Sequence, residues 1–218
     1  MKILVISDRV SESLYENFDR DLYRDVEMVI SCGDLPCYYL NFLIDALNVP
    51  CFYVPGNHDT EIATNPPAGW VCLHNRIIKH KNLTMVGIGG SPFYNGESPY
   101  QYTESQIFKE SLLLSFKLGF KSKIDIFVTH SPALGMGDIK GSRVHQGFKT
   151  FVKFLNRHQP SLFLYGHTHL YYGVPRIGLY RDTLAVNGFL NYQLDSTNLT
   201  KLKKEAGKAN LYTSPPKS

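Results

Sequence analysis

Thiols are scarce in this chain: its 218 residues hold four cysteines, at positions 32, 37, 51 and 72. None are spaced as a Cys-x-x-Cys pair or as half of a paired zinc motif. The spacing therefore gives no support to a thiolate zinc site or a dithiol redox centre. Three of the four lie in or beside apolar runs, which reads as buried free thiols in a reducing compartment. Long hydrophobic runs are also missing. No stretch approaches the roughly 20 apolar residues of a membrane span. Met1 to Val5 enters a strand directly, without the small-residue cleavage site of a signal peptide. The expected location is the cytoplasm, with no membrane contact.

Excess charge is absent from the body of the chain. The formal net charge is +4. Lys201, Lys203, Lys204, Lys208 and Lys217 against Glu205 account for all of it, so residues 1–200 are neutral. The body carries no electrostatic case for a long nucleic-acid duplex. Residues 201–218 read as a basic, polar, mobile tail after a single domain over 1–200. Two catalytic signatures are missing too. There is no Gly-x-Ser-x-Gly elbow, and Gly87-Ile88-Gly89-Gly90 lacks the lysine and hydroxyl of a phosphate loop. It reads as a turn at a cleft mouth.

Short apolar runs are what the chain does contain. Ile3–Ile6, Met28–Ile30, Cys51–Val54, Met85–Ile88, Ile124–Val128 and Leu162–Tyr165 suit strands buried on both faces. Helical periods lie between them. Leu40, Leu43, Ile44 and Leu47 mark one helix, with Pro36 at its first turn. Residues 104–118 form a second, and Phe148, Phe151, Val152 and Leu155 mark a third. Lys79–Asn82 reads as a turn between strands. After His169 the runs Leu170–Val174, Ile177–Tyr180, Thr183–Val186 and Tyr192–Leu194 read as an antiparallel meander. The expected class is α/β, a pair of mixed sheets with helices outside.

Each of five strands is followed by a candidate ligand. Asp8 follows the first, Asp34 the second, and Asn57, His58 and Asp59 the third. His130 follows a fourth; His167 and His169 follow a fifth. Ligands bind beyond the carboxyl ends of strands in open α/β sheets. Carboxylate, amide and imidazole without thiolate suit manganese, iron or zinc. Two carboxylates, one amide and three histidines exceed the needs of one tetrahedral ion. They suit two ions sharing a bridging carboxylate, about 3.5–4 Å apart. Singly, each residue has an ordinary alternative as a cap, a turn residue or a hydrogen-bonded histidine. Their joint placement at strand ends argues for a metal centre.

Gly33-Asp34-Leu35, Gly56-Asn57-His58-Asp59, Thr129-His130 and Gly166-His167-Thr168-His169 resemble the blocks of the calcineurin-like metallophosphoesterases. Together they span the chain from its first strand to about residue 190. The resemblance implies a four-layer αββα sandwich, two mixed sheets flanked by helices, with a dinuclear centre between the sheet ends. It implies that Asp34 bridges two divalent ions, manganese first, with iron or zinc as alternatives. Asn57, His130 and His167 would complete one shell, with Asp8 and His169 in the other. His58 would face the phosphate and leaving group, and Asp59 would orient it through a carboxylate–imidazole hydrogen bond. The implied activity is hydrolysis of a small phosphodiester or phosphomonoester by a metal-bound hydroxide. The rival reading is a non-catalytic metal-binding scaffold that holds a partner on the same fold.

The opening block departs from the family's Asp-x-His. It is Asp8-Arg9-Val10, and valine cannot ligate, so the first ion loses one ligand and its site is expected to be weak or empty. Water or a substrate oxygen could fill the place, the ion could wait for phosphate, or Arg9 could supply a guanidinium to the phosphate. His145, just before the third helix, is the other candidate for phosphate contact. Phe93, Tyr94, Tyr100 and Tyr102 either border the cleft or bury themselves. His74, His80 and His158 fall outside the strand-end pattern and read as surface or structural.

Overall fold

The computed structural model describes residues 1–119, 122–208 and 212. One sheet holds β1 (Lys2–Ser7), β2 (Val26–Ser31), β3 (Cys51–Tyr53), β4 (Val71–Cys72) and β13 (Leu190–Asp195), in the order β13-β1-β2-β3-β4. The other holds β5 (Ile77–His80), β6 (Leu83–Ile88), β9 (Ile126–Thr129), β10 (Leu162–Tyr165), β11 (Ile177–Tyr180) and β12 (Thr183–Asn187), in the order β11-β12-β10-β9-β6-β5. A small ribbon pairs β7 (Ser91–Pro92) with β8 (Gln101–Tyr102). In both sheets the central strands run parallel and the antiparallel partners lie at edges. The parallel strands therefore deliver their carboxyl ends to one rim.

Side chains alternate across each strand and sort the core into three apolar layers. Ile3, Val5, Met28 and Ile30 of the first sheet meet Ile126, Val128, Leu162 and Leu164 of the second. The intervening Leu4, Ile6 and Val29 turn outward onto Tyr39, Leu40 and Leu43 of α2 (Cys37–Leu47); the short α1 (Arg20–Tyr23) lies against α2. On the far side, Val86, Phe127 and Phe163 pack under α3 (Glu104–Leu118) and α4 (Lys149–His158) through Ile107, Leu114, Phe151 and Phe154. The order of layers is helix, sheet, sheet, helix, as expected. Thr103 and Gln106 start α3 with a reciprocal capping box, which fixes that boundary.

Three sequence expectations are corrected. Leu170–Val174 is not a strand: Leu170–Tyr172 forms a short 3-10 turn, because its aromatic rings pack at the rim beside His169. The meander is instead a hairpin of β11 and β12 plus β13, which crosses to the other sheet and pairs antiparallel with β1 from Lys2↔Asp195 to Ser7↔Leu190. The segment from 201 is not a tail throughout, since α5 (Leu199–Lys208) places Leu199, Leu202 and Ala206 on the core between the sheets. Tyr212 is also buried, its hydroxyl 2.8 Å from that of Tyr165. The rest of the expected tail, 209–211 and 213–218, lies outside the described residues. Cys32, Cys37 and Cys51 are buried free thiols. Among the described residues no helix is long and apolar enough to cross a membrane.

Candidate metal centre

The six candidate ligands meet at the common rim, three from each sheet. Asp8, Asp34 and His167 have left-handed backbones, with φ of 66°, 58° and 66°. Such angles are costly for residues other than glycine, about 1–3 kcal/mol each, and persist where the surroundings enforce them. The Asp34 turn lies flush against Gly56. A Cβ at Gly56 would strike the Asp34 carboxylate, so glycine is required there for close approach. Asp8 ties the two sheets together, both its oxygens accepting from the His167 backbone N–H at 2.9 and 3.1 Å.

Asp34, His130 and His167 each present a ligand atom within 4.8 Å of the others. His130 Nδ1 donates to the Cys32 carbonyl at 2.8 Å, and His167 Nε2 donates to the Val144 carbonyl at 2.8 Å. Because carbonyls only accept, these bonds set the tautomers: neutral His130 keeps its lone pair on Nε2 and neutral His167 on Nδ1. His130 Nε2 lies 3.0 Å from Asn57 Oδ1 and 3.3 Å from Asp34 Oδ2. Two oxygen acceptors and an imidazole nitrogen thus converge on one point. Only a cation, whether a proton or a metal ion, satisfies all three. All-N/O donors of this kind fit a divalent ion.

Electrostatics agree with that reading. Burial would lower the His130 pKa, but the Asp34 carboxylate overrides it and holds the imidazolium up to about 9. Burial would raise Asp34, but the His130 charge and hydrogen bond, with the His58 N–H, bring it to about 2. Asp8 is pushed up to about 6 by burial, with His130 opposing and Asp34 adding to the rise. His167 falls to about 3 through burial and the neighbouring His130. The cluster carries negative charge that it cannot place comfortably without a cation.

Asp8 and His169 form the other half of the set. His169 Nδ1 is hydrogen-bonded to the Tyr171 hydroxyl, leaving Nε2 to face Asp8 Oδ1 at 3.9 Å. Its ring stacks on Tyr172 and lies against Phe189. Arg9 is exposed with its guanidinium 5.8 Å from the centre of the Tyr171 ring, at the edge of this half. Val10 packs against the outer apolar layer and contributes nothing to the rim.

His58 is exposed beside Asp34, in a cleft of about 340 Å³. Its backbone N–H donates to Asp34 Oδ1 at 2.7 Å. The expected hydrogen bond from His58 to Asp59 is corrected. Asp59 is buried, and its Oδ2 accepts from the backbone N–H groups of Gly56 at 2.7 Å and Asp34 at 2.8 Å. It braces the turns that carry Asn57 and Asp34. His145 sits half-buried, its ring 5.2 Å from His167 and 5.1 Å from Tyr172. His158 is structural, bonded to Ser115 and to the Ser122 carbonyl.

Several contributors escaped the sequence reading. The Tyr94 hydroxyl accepts from Asn57 Nδ2 at 3.3 Å and so points Oδ1 of that amide at His130. Its signal was the aromatic insert, which offered no means of choosing among four rings. Tyr171 and Tyr172 were hidden inside an expected strand. The Val144 carbonyl has no signature in a side chain at all.

A family model described as calcineurin-like phosphoesterase matches residues 1–171, a span that contains all six candidate ligands. The uncharacterized protein MJ1162 of Methanocaldococcus jannaschii is 28% identical over 176 residues, 74% of this chain and 76% of that protein. Among solved structures, TT1561 of Thermus thermophilus is similar with a TM-score of 0.61 at 18% identity, covering 86% of this chain and 88% of its own. GAP50, the anchor in the inner membrane complex of Plasmodium, gives 0.52 at 12% identity over 86% of this chain and 70% of its own. At such identities these two structures establish likeness of fold.

Proposed function

The chain belongs to the calcineurin-like phosphoesterase family, and on that premise we propose that it hydrolyses a small phosphodiester with two divalent ions, manganese by preference. The observation that carries the reading is the convergence of His130 Nε2, Asn57 Oδ1 and Asp34 Oδ2 on one cation position. Asp34, Asn57, His130 and His167 would hold one ion; Asp8 and His169, with Asp34 shared, would hold the other. When bound, such ions supply Lewis-acid charge to the phosphoryl group and acidify water.

The chain's own residues do the remainder. Asp59 fixes the two turns that aim Asp34 and Asn57, and Tyr94 fixes the Asn57 amide. His58, open to the cleft beside Asp34, is placed to give a proton to the leaving oxygen. Arg9 and His145 stand at the rim, where each can meet a phosphoryl oxygen. A diester is favoured over a monoester because there is room for two substrate arms, one in the cleft lined by Asp34 and His58 and one in the cavity lined by Phe93 and Arg143, the chain neighbours of Tyr94 and Val144.

A second reading is a metal-holding scaffold without turnover. It draws on Val10, which has no donor atom and packs partly buried against the outer layer, so that the Asp8–His169 half is short of a ligand. Hydrolysis of bis-p-nitrophenyl phosphate and p-nitrophenyl phosphate with and without Mn²⁺ separates the two. Turnover that requires Mn²⁺, prefers the diester and disappears in Asn57→Ala is expected. Stoichiometric Mn²⁺ binding with no turnover above Asn57→Ala would favour the scaffold.

A further inference from the structure

We propose that the cavity lined by Phe93 and Arg143 is a nucleotide-type subsite, holding a substrate arm that carries both a flat ring and a second anionic group. This rests on the phosphoesterase reading of the adjoining centre. The cavity measures about 500 Å³, the size of an ordinary small-ligand pocket. Both its walls are made by chain neighbours of residues that support the metal framework. On one wall Phe93 precedes Tyr94, the residue that holds Asn57. On the other Arg143 precedes Val144, whose carbonyl holds His167, and Gln146 follows His145.

Charge in the cavity is net positive. Arg143 and Lys149 are exposed on its lining, and neither has an ion-pair partner among the described residues. Glu104 is the one acid of that lining, a single carboxylate against two cations, and its hydrogen bonds are turned to α4. Its two oxygens accept from the backbone N–H groups of Lys149 at 3.3 Å and Thr150 at 2.6 Å, capping α4. Two free cations remain for an anion. The cleft beside His58 has the opposite character, with Asp34, Asp59 and Glu61 and no lysine or arginine on its lining. An anionic arm is therefore directed to the Arg143 side.

The ring partner is Phe93, 53% exposed. Its exposure is not slack in the loop. The Phe93 N–H donates to the Tyr102 carbonyl at 3.0 Å. The next three N–H groups, of Tyr94, Asn95 and Gly96, all donate to Oε1 of the buried Gln101. A rigidly presented aromatic face next to two unpaired cations is what a base with an additional phosphate recognises.

The test is calorimetric binding to the Mn²⁺-loaded protein of two probes that differ by one phosphate, adenosine 5′-monophosphate and adenosine 3′,5′-bisphosphate. The bisphosphate is expected to bind about tenfold more tightly, the worth of a charge-assisted contact at a partly exposed site. In the doubly substituted Arg143→Gln, Lys149→Gln protein the ratio is expected to fall to near one, with the melting temperature confirming a folded chain. Phe93→Ala is expected to weaken both nucleotides and leave inorganic phosphate unaffected. Equal binding of the two probes by the unaltered protein, or a ratio that survives the double substitution, overturns the proposal. Turnover of bis-p-nitrophenyl phosphate by the unaltered protein is scored separately. Absence of turnover with the ratio intact rejects the phosphoesterase reading and leaves the subsite standing; turnover with no ratio does the reverse.

Discussion

Replacing Asp59 with alanine removes one oxygen that satisfies two buried backbone donors, Gly56 N–H at 2.7 Å and Asp34 N–H at 2.8 Å. An unpaired buried donor costs about 1–3 kcal/mol, so the two together cost roughly 2–6 kcal/mol. For a chain of this size each kcal/mol lowers the melting temperature by about 2–4 °C, which puts the fall at roughly 5–20 °C. Asparagine keeps an oxygen that can accept from both donors and gives up only the charge-assisted part, about 1–2 kcal/mol. Part of that loss is returned, because burial and the Asp34 charge push the Asp59 carboxyl up to about 6 and make its ionised form a burden. The assay is thermal unfolding of metal-free protein above that pH, followed by circular dichroism. A fall of less than about 2 °C for Asp59→Ala, or equal falls for Ala and Asn, would refute the bracing role. Kinetics give a second check. If Asp59 does not act through His58, the effects of His58→Ala and Asp59→Asn on turnover are additive; strong non-additivity would restore the carboxylate–imidazole pair expected from sequence.

Other outcomes follow from the same geometry. Tyr94→Phe frees the Asn57 amide and should weaken Mn²⁺ binding about tenfold in a direct titration; unchanged affinity would mean that Asn57 is held by other contacts. Gly56→Ala drives a methyl into the Asp34 carboxylate and should cost about 1–3 kcal/mol in denaturant unfolding together with loss of metal binding. For His130 the folded pKa, about 9, stands above the ordinary imidazole value of 6.5. Its stabilising contribution is therefore complete below 6.5 and lost as pH rises through 9. The metal-free protein should melt at progressively lower temperature between these values. Saturating Mn²⁺ should abolish that decline, because the ion replaces the proton. A flat profile in the metal-free protein would contradict the assignment.

Strand ends were legible because runs such as Leu162–Tyr165 and Ile3–Ile6 are buried on both faces, and a ligand-type residue directly after such a run has little other reason to recur. The extent of α3 was legible as well, since residues 104–118 read as one long helix and the structure has Glu104–Leu118. Pairing across the molecule was not. Tyr192–Leu194 reads as a strand in either sheet, and only its long-range register with Val5–Ile3 assigns it to the first. Helix α5 was missed because its packing residues, Leu199, Leu202 and Ala206, straddle the point at which the basic run begins. Within the site the residue types conveyed the chemistry of the ligands and not their supports. Nothing in Asn57-His58-Asp59 tells which donors the Asp59 carboxylate will meet, since one of them, Asp34 N–H, is 25 residues away. Val10 could be seen to break the ligand pattern, but its place in the outer apolar layer required the fold.

The central claim is that a divalent ion sits where Asp34, Asn57, His130 and His167 converge. Anomalous diffraction from crystals equilibrated with Mn²⁺ addresses it directly. The account predicts a strong peak within bonding distance of Asp34 Oδ2, Asn57 Oδ1, His130 Nε2 and His167 Nδ1, lost in crystals of Asp34→Asn. A peak elsewhere on the chain with this position unfilled, or none at saturating Mn²⁺, would contradict it.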